Sequence, residues 1–175
     1  MHTKIVLLGY MGSGKTTIGH RLANELKLPF WDLDEVIGQM FGMSVQYMIT
    51  RKGELYFREC EQKALKVVIS NQAYILATGG GTPCYYNNLE VIKNSSTSIY
   101  LQCNPGTLAE RLVPEKQNRP LIADIEDDFM TEFIAKHLFE RNPYYQQAHY
   151  TIDANNSPDI VLEDVLSALD VKKVE

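Results

Sequence analysis

Gly9-Tyr10-Met11-Gly12-Ser13-Gly14-Lys15-Thr16 has the spacing of a glycine-rich loop whose backbone N–H groups cradle a polyphosphate. It implies a nucleoside triphosphate site. In that pattern Gly12, Ser13, Gly14 and Thr17 contribute main chain near the phosphates, Lys15 reaches the β and γ phosphates, and the Thr16 hydroxyl ligates the accompanying Mg²⁺. A chance glycine-rich turn is the competing reading. The flanks argue against it, because Lys4–Leu8 reads as a short buried strand and Thr17–Leu26 as a helix carrying Ile18, Leu22 and Leu26 on one face.

Asp32 and Asp34 lie two apart at the end of a second short strand, which points both side chains toward the mouth where the phosphates sit. One acid there can hold water ligands of Mg²⁺, and the other can orient or deprotonate an attacking hydroxyl. Service as a turn and helix cap is the alternative. Arg58 and Glu61 are three apart on an expected helix, with Glu54 also within reach of Arg58. Taken alone they read as a surface ion pair. If their face turns toward a cleft, Glu61 fixes the guanidinium so that its fork can receive a carboxylate.

Gly79-Gly80-Gly81 follows a buried strand, Ala73–Ala77, at the end where ligands approach in such sheets. Asn118-Arg119-Pro120-Leu121 lies in the longest polar segment, Pro114 to Asp128. That is where a mobile cover would be found, and Arg119 could swing onto a transferring phosphoryl group. Arg141 stands near the end of a long helix, where meeting the helix dipole competes with binding a ligand. His2, His20, His137 and His149 are scattered without metal-site spacing, and the paired tyrosines Tyr85-Tyr86 and Tyr144-Tyr145 read as packing.

These residues need elements to hold them, and the chain supplies an alternation. Short helices follow from Glu35 to about Thr50, then a longer one over 53–69, the third strand, a helix around Leu89–Ile92, a fourth strand at Thr97–Leu101, a helix at Thr107–Leu112, a long helix at Phe129–Gln146, a last strand at Tyr150–Asp153 and a terminal helix after Ser157-Pro158. The pattern predicts an α/β fold with a parallel sheet and helices on both faces. Ligands are expected at the carboxyl ends of its strands.

Length and composition bound the rest. At 175 residues and 45% hydrophobic the chain suits one domain, residues 1–175, with a substantial core. A net charge of −5 gives no support to a nucleic-acid footprint. Cys60, Cys84 and Cys103 are widely spaced and read as free thiols. No apolar run approaches the ~18 residues of a membrane helix, and the amino-terminal stretch lacks a cleavage site. A cytoplasmic protein that neither enters a membrane nor binds nucleic acid is expected, acting as a monomer.

Taken together, Gly9–Gly19, Asp32-Leu33-Asp34, Phe57-Arg58-Glu59-Cys60-Glu61, Gly79-Gly80-Gly81, Arg119-Pro120-Leu121 and Arg141-Asn142-Pro143-Tyr144-Tyr145 resemble the shikimate kinase family through nearly the whole chain. The resemblance implies a P-loop kinase fold similar to nucleoside monophosphate kinases, and transfer of the ATP γ-phosphoryl group to the 3-hydroxyl of shikimate. It implies that Arg58, Arg141 and the Gly79-Gly80-Gly81 loop receive the shikimate carboxylate, while Asp34 receives ring hydroxyls and is the candidate base. It also implies that Thr16 and Asp32 serve Mg²⁺, that Lys15 and Arg119 stabilise the moving phosphoryl, and that Arg111 flanks adenine. Residues 34–61 would form the substrate segment and 112–124 the lid. Two rivals predict other behaviour: a related small-molecule kinase, such as a gluconate kinase, needs a different acceptor pocket, and a nucleotide-binding switch would hydrolyse slowly without an acceptor.

Overall fold

The computed structural model describes residues 3–119 and 121–170, so His2 and Pro120 lie outside the described residues. Five strands form one parallel sheet in the order β2-β3-β1-β4-β5, with β1 at Lys4–Leu8, β2 at Phe30–Asp32, β3 at Tyr74–Ala77, β4 at Thr97–Gln102 and β5 at Tyr150–Asp153. The burial follows from position in the sheet. β1 from Ile5 onward, β3 and most of β4 are buried and largely apolar, as interior parallel strands covered on both faces must be. The edge strands β2 and β5 are only partly buried.

Eight α-helices connect and cover the strands among the described residues: α1 at Lys15–Leu26, α2 at Leu33–Phe41, α3 at Val45–Lys52, α4 at Glu54–Ile69, α5 at Asn88–Ser95, α6 at Pro105–Leu112, α7 at Asp127–Tyr145 and α8 at Pro158–Ala168. α1 packs on β2, β3 and α8, whereas α4 gathers α2, α3 and α5. The approach of α1 is close. A Cβ on Gly19 would stand 2.2 Å from Phe30 Cε2, so the helix can seat against β2 only because that position has no side chain. Among the described residues no helix is long and apolar enough to cross a membrane.

The expected elements are all present, with two differences to note. β2 stops at Asp32 and α2 begins at Leu33, so Asp34 is not a strand residue. The long helix α7 runs through Pro143 to Tyr145 and carries Arg141 near its end, as expected. Ser157 precedes α8 as expected, yet its side chain makes no capping bond. Between α6 and α7 the polar segment forms a 3₁₀ turn over Val113–Asn118 and further turns, anchored by the fully buried Ile122.

Candidate active site

β1 lies between β3 and β4, and the connections leaving β1 and β3 carry the phosphate loop and the triple glycine to the same edge of the sheet. A cleft of about 480 Å³ opens there, lined by residues 11–18, Asp32, Asp34, Gly79, Gly80, Arg111, Glu115 and Arg119 among others. Such a crevice outside the carboxyl ends of parallel strands is where a nucleotide binds.

The phosphate loop delivers its N–H groups through one backbone choice. Gly14, at φ 94°, takes a left-handed conformation immediately before α1, and no side chain caps that helix. Its first-turn donors therefore stay open to an anion, with the positive end of the helix behind them. By contrast, Ser44 and Asn104 cap α3 and α6 with their own oxygens. Lys15 Nζ donates to the Gly9 and Tyr10 carbonyls at 2.8 Å each, so in this state the ammonium closes the loop on itself. Burial pulls its pKa down to about 8, against the Asp34 and Asp32 charges.

Asp32 and Asp34 both line the cleft, one from the end of β2 and the other from the first turn of α2. Asp32 Oδ1 accepts from the Asp34 N–H at 3.0 Å as the cap of α2, while its Oδ2 accepts from the Thr16 hydroxyl at 3.1 Å. The capping and cleft-facing readings are thus both true of Asp32. A hydroxyl and a carboxylate oxygen meeting beside the phosphate loop suit a hard cation that keeps waters and phosphate oxygens as its other ligands. Asp34 sits in the first turn of α2, open to the cleft on one side. Stripping of its water by the surrounding protein, reinforced by Asp32 and Glu61, pushes its carboxyl up to about 6 against the pull of Lys15 and Arg58.

Arg58 and Glu61 are not a surface pair. Arg58 is 8% exposed and Glu61 is fully buried. Arg58 Nη1 donates to Glu61 Oε2 at 2.9 Å, and Nη2 donates to Glu54 Oε1 at 3.2 Å. Tyr85 lies against the guanidinium at 3.9 Å and donates its hydroxyl to the same Glu54 oxygen at 2.8 Å. The remaining Glu61 oxygen accepts from the Thr82 hydroxyl at 2.7 Å, and Asn88 Nδ2 donates to the Thr82 carbonyl at 3.0 Å. The network joins α4 to the loop after β3.

That loop runs between the two arginines. A Cβ on Gly81 would stand 2.7 Å from Arg58 Nη2, and one on Gly80 would stand 3.2 Å from Arg141 Nη1. At Gly79 the same position would face Glu61 Oε1 at 3.3 Å and Asp34 Oδ1 at 3.4 Å. Three successive glycines thus bring main chain up to both guanidinium groups beside the Asp34 carboxyl. The Tyr145 hydroxyl donates to the Gly80 carbonyl at 2.5 Å, which holds the loop from α7.

Two further arginines line the cleft with different partners. Arg111 donates through Nη2 to the Ala154 carbonyl at 2.9 Å and through Nη1 to the Gly12 carbonyl at 3.3 Å, tying the phosphate loop to the turn after β5. Arg119 Nη2 donates to Glu115 Oε2 at 3.3 Å, and its buried Nε has no hydrogen-bond partner among the described residues. Tyr10, Thr82, Tyr85 and Tyr145 take part although their types alone singled none of them out. Tyr10 sits inside the motif, which was the available signal.

The shikimate kinase family model matches residues 11–170 of the chain. Shikimate kinase from Flavobacterium psychrophilum is 44% identical over 165 residues, covering 93% of this chain and 96% of that protein. The crystal structure of shikimate kinase from Bacteroides thetaiotaomicron superposes with a TM-score of 0.92 at 35% identity, covering 97% of this chain and 99% of the other. Shikimate kinase from Acinetobacter baumannii in complex with shikimate gives a TM-score of 0.88 at 32% identity, with 98% and 96% covered. Sequence and fold agree over nearly the full length, and the chain belongs to the shikimate kinase family.

Proposed function

We propose that the protein transfers the γ-phosphoryl group of ATP to the 3-hydroxyl of shikimate, yielding shikimate 3-phosphate and ADP. The observation that carries this reading is the Gly79–Gly81 backbone pressed between Arg58 and Arg141, with Asp34 beside it and the phosphate loop across the cleft. Two guanidinium groups against a side-chain-free loop make a receptor for a compact carboxylate. A nucleotide acceptor would need a pocket for its base.

In this reading Arg58, Arg141 and the loop of Gly79, Gly80 and Gly81 anchor the acid, which turns a ring hydroxyl toward Asp34. Asp34 accepts the hydroxyl proton as the oxygen attacks phosphorus and the bond to the ADP oxygen breaks. A base poised near 6 is ionised at neutral pH yet still basic enough to help. The backbone from Gly12 to Thr17 holds the phosphates. Thr16 and Asp32 would hold Mg²⁺, which when bound neutralises charge between the β and γ phosphates.

Lys15 must leave the Gly9 and Tyr10 carbonyls to meet the nucleotide, and Arg119 must exchange Glu115 for the moving phosphoryl. Residues 112–124 act as the lid that excludes water, and 34–61 as the acceptor-binding segment. Arg111 acts at the nucleotide end by securing Gly12. With this activity go a role in aromatic amino-acid biosynthesis, a cytoplasmic location and action as a monomer. A coupled assay of ADP release with shikimate, gluconate and AMP as acceptors tests it: turnover with shikimate alone is expected. Equal or greater turnover with another acceptor, or slow hydrolysis insensitive to all three, would overturn the reading.

A further inference from the structure

Arg58 and Arg141 flank the same loop, yet they are held in different ways. Two carboxylates and a tyrosine ring fix Arg58. Among the described residues no carboxylate comes within ion-pair distance of Arg141. Its guanidinium instead lies over the ring of Tyr10, 5.3 Å from the centroid. Tyr10 is a residue of the phosphate loop, it is 1% exposed, and its carbonyl accepts from Lys15 Nζ at 2.8 Å.

The ring is itself fixed. Its hydroxyl stands 2.9 Å from Nδ1 of His137, and His137 packs at 4.3 Å against Phe133 one turn earlier on α7. Burial, and then the Arg141 charge, lower the His137 pKa from its ordinary value, while burial pushes the Tyr10 phenol up to about 12. Near neutral pH the phenol keeps its proton and shares this hydrogen bond with a neutral imidazole. α7 therefore holds both the guanidinium, through Arg141, and the aromatic face beneath it, through His137.

We propose that Tyr10 is a positioning residue for acceptor recognition: its His137-anchored ring holds the Arg141 guanidinium at the Gly80 end of the triple-glycine loop. A ring quadrupole suits this task better than a carboxylate would. It orients the cation without neutralising it, so the full positive charge remains for the incoming acid. The inference rests on the reading of Arg141 as a carboxylate receptor.

The test replaces Tyr10 with phenylalanine and with mono-, di- and trifluorinated phenylalanines, which weaken the ring's negative face stepwise at nearly constant volume. With phenylalanine as reference, the KM for shikimate is expected to climb with each fluorine, by about three- to tenfold across the series. The KM for MgATP and the melting temperature should stay within twofold and about 2 °C. A packing role would leave the shikimate KM flat, and that result overturns the proposal, as does a parallel rise in both KM values. Arg141→Ala runs alongside: should it leave the shikimate KM unmoved, the carboxylate reading of Arg141 fails and takes the proposal with it. A raised KM in Arg141→Ala beside a flat fluorine series rejects Tyr10 alone.

Discussion

Arg58 Nη1 and Glu61 Oε2 meet at 2.9 Å with the carboxylate wholly out of solvent, so the Glu61 charge is tolerable only because the guanidinium is present. Desolvation leaves no cheap way to remove one of them. Glu61→Ala is expected to cost about 3–5 kcal/mol of unfolding free energy, because the buried Arg58 Nη1 and the Thr82 hydroxyl lose their acceptor and only Glu54, more exposed, still pairs with the guanidinium. Glu61→Gln keeps oxygen and shape but removes the charge, and should cost about 1–3 kcal/mol. Both should raise the shikimate KM through a misaligned Arg58, which urea unfolding and steady-state kinetics would show together. An unchanged KM in a folded Glu61→Gln would separate the ion pair from acceptor binding.

As the proposed base, Asp34 should set the pH dependence. Its carboxyl is raised from 3.8 to about 6, so the ionised, proton-accepting form is lost below that value. kcat/KM for shikimate should fall about tenfold per pH unit below 6 and level off above about 7. The sign for stability runs the other way: the native state binds this proton more tightly than the unfolded chain, so a stabilising contribution present at low pH disappears as pH rises from 3.8 to about 6. Asp34→Asn should abolish the acid limb, lower kcat by about 10²–10⁴ and gain no stability from acidification across that window. A full-activity Asp34→Asn enzyme would rule out the base.

Much of this molecule is legible in its residues, for reasons that differ between fold and site. Central strands such as Ile5–Leu8 and Ile75–Ala77 are unbroken apolar runs ended by turn glycines or a polar residue, and the helices between them carry apolar stripes, so the alternation is visible. The phosphate loop shows itself because its main-chain task demands glycine at fixed spacing. Asp34 is misplaced by the same logic, since a strand three residues long cannot be told from the helix start that follows it. Spacing puts Arg58 and Glu61 on one face but is silent on whether that face is covered; only packing of α4 against α2, α3 and the Thr82 turn decides it. Arg111 and Tyr10 are less legible still. Their partners, the carbonyls of residues 154–156 and the ring of His137, lie over 40 residues away in the chain and leave no local trace.

Gly81 tests the close approach at the acceptor end. Its Cβ position falls 2.7 Å from Arg58 Nη2, and the guanidinium cannot simply swing aside while Glu61 and Glu54 hold it. Gly81→Ala should therefore move Arg58 and raise the shikimate KM about ten- to a hundredfold, a loss comparable to one charge-assisted bond. The KM for MgATP should change less than twofold, because the three atoms nearest that position all belong to Arg58. Isothermal titration with each substrate would check both halves, and a selective loss of nucleotide binding would contradict the assignment of this loop to the acceptor.

Arg119 is poised for exchange of partners. Its bond to Glu115 spans 3.3 Å between side chains that are both open to solvent, a pairing worth at most about 1 kcal/mol, so a phosphate arriving in the cleft displaces it readily. The buried Nε without a partner among the described residues gives a second donor for an anion oxygen. If the guanidinium meets charge that develops as the phosphoryl moves, Arg119→Ala should lower kcat by about 10²–10³ with little change in shikimate affinity. Arg119→Lys should restore only part of that rate, since a point charge cannot reproduce the planar fork. Single-turnover kinetics with saturating substrates would isolate the chemical step; a variant that keeps its rate but loses shikimate binding would make Arg119 part of the acceptor pocket instead.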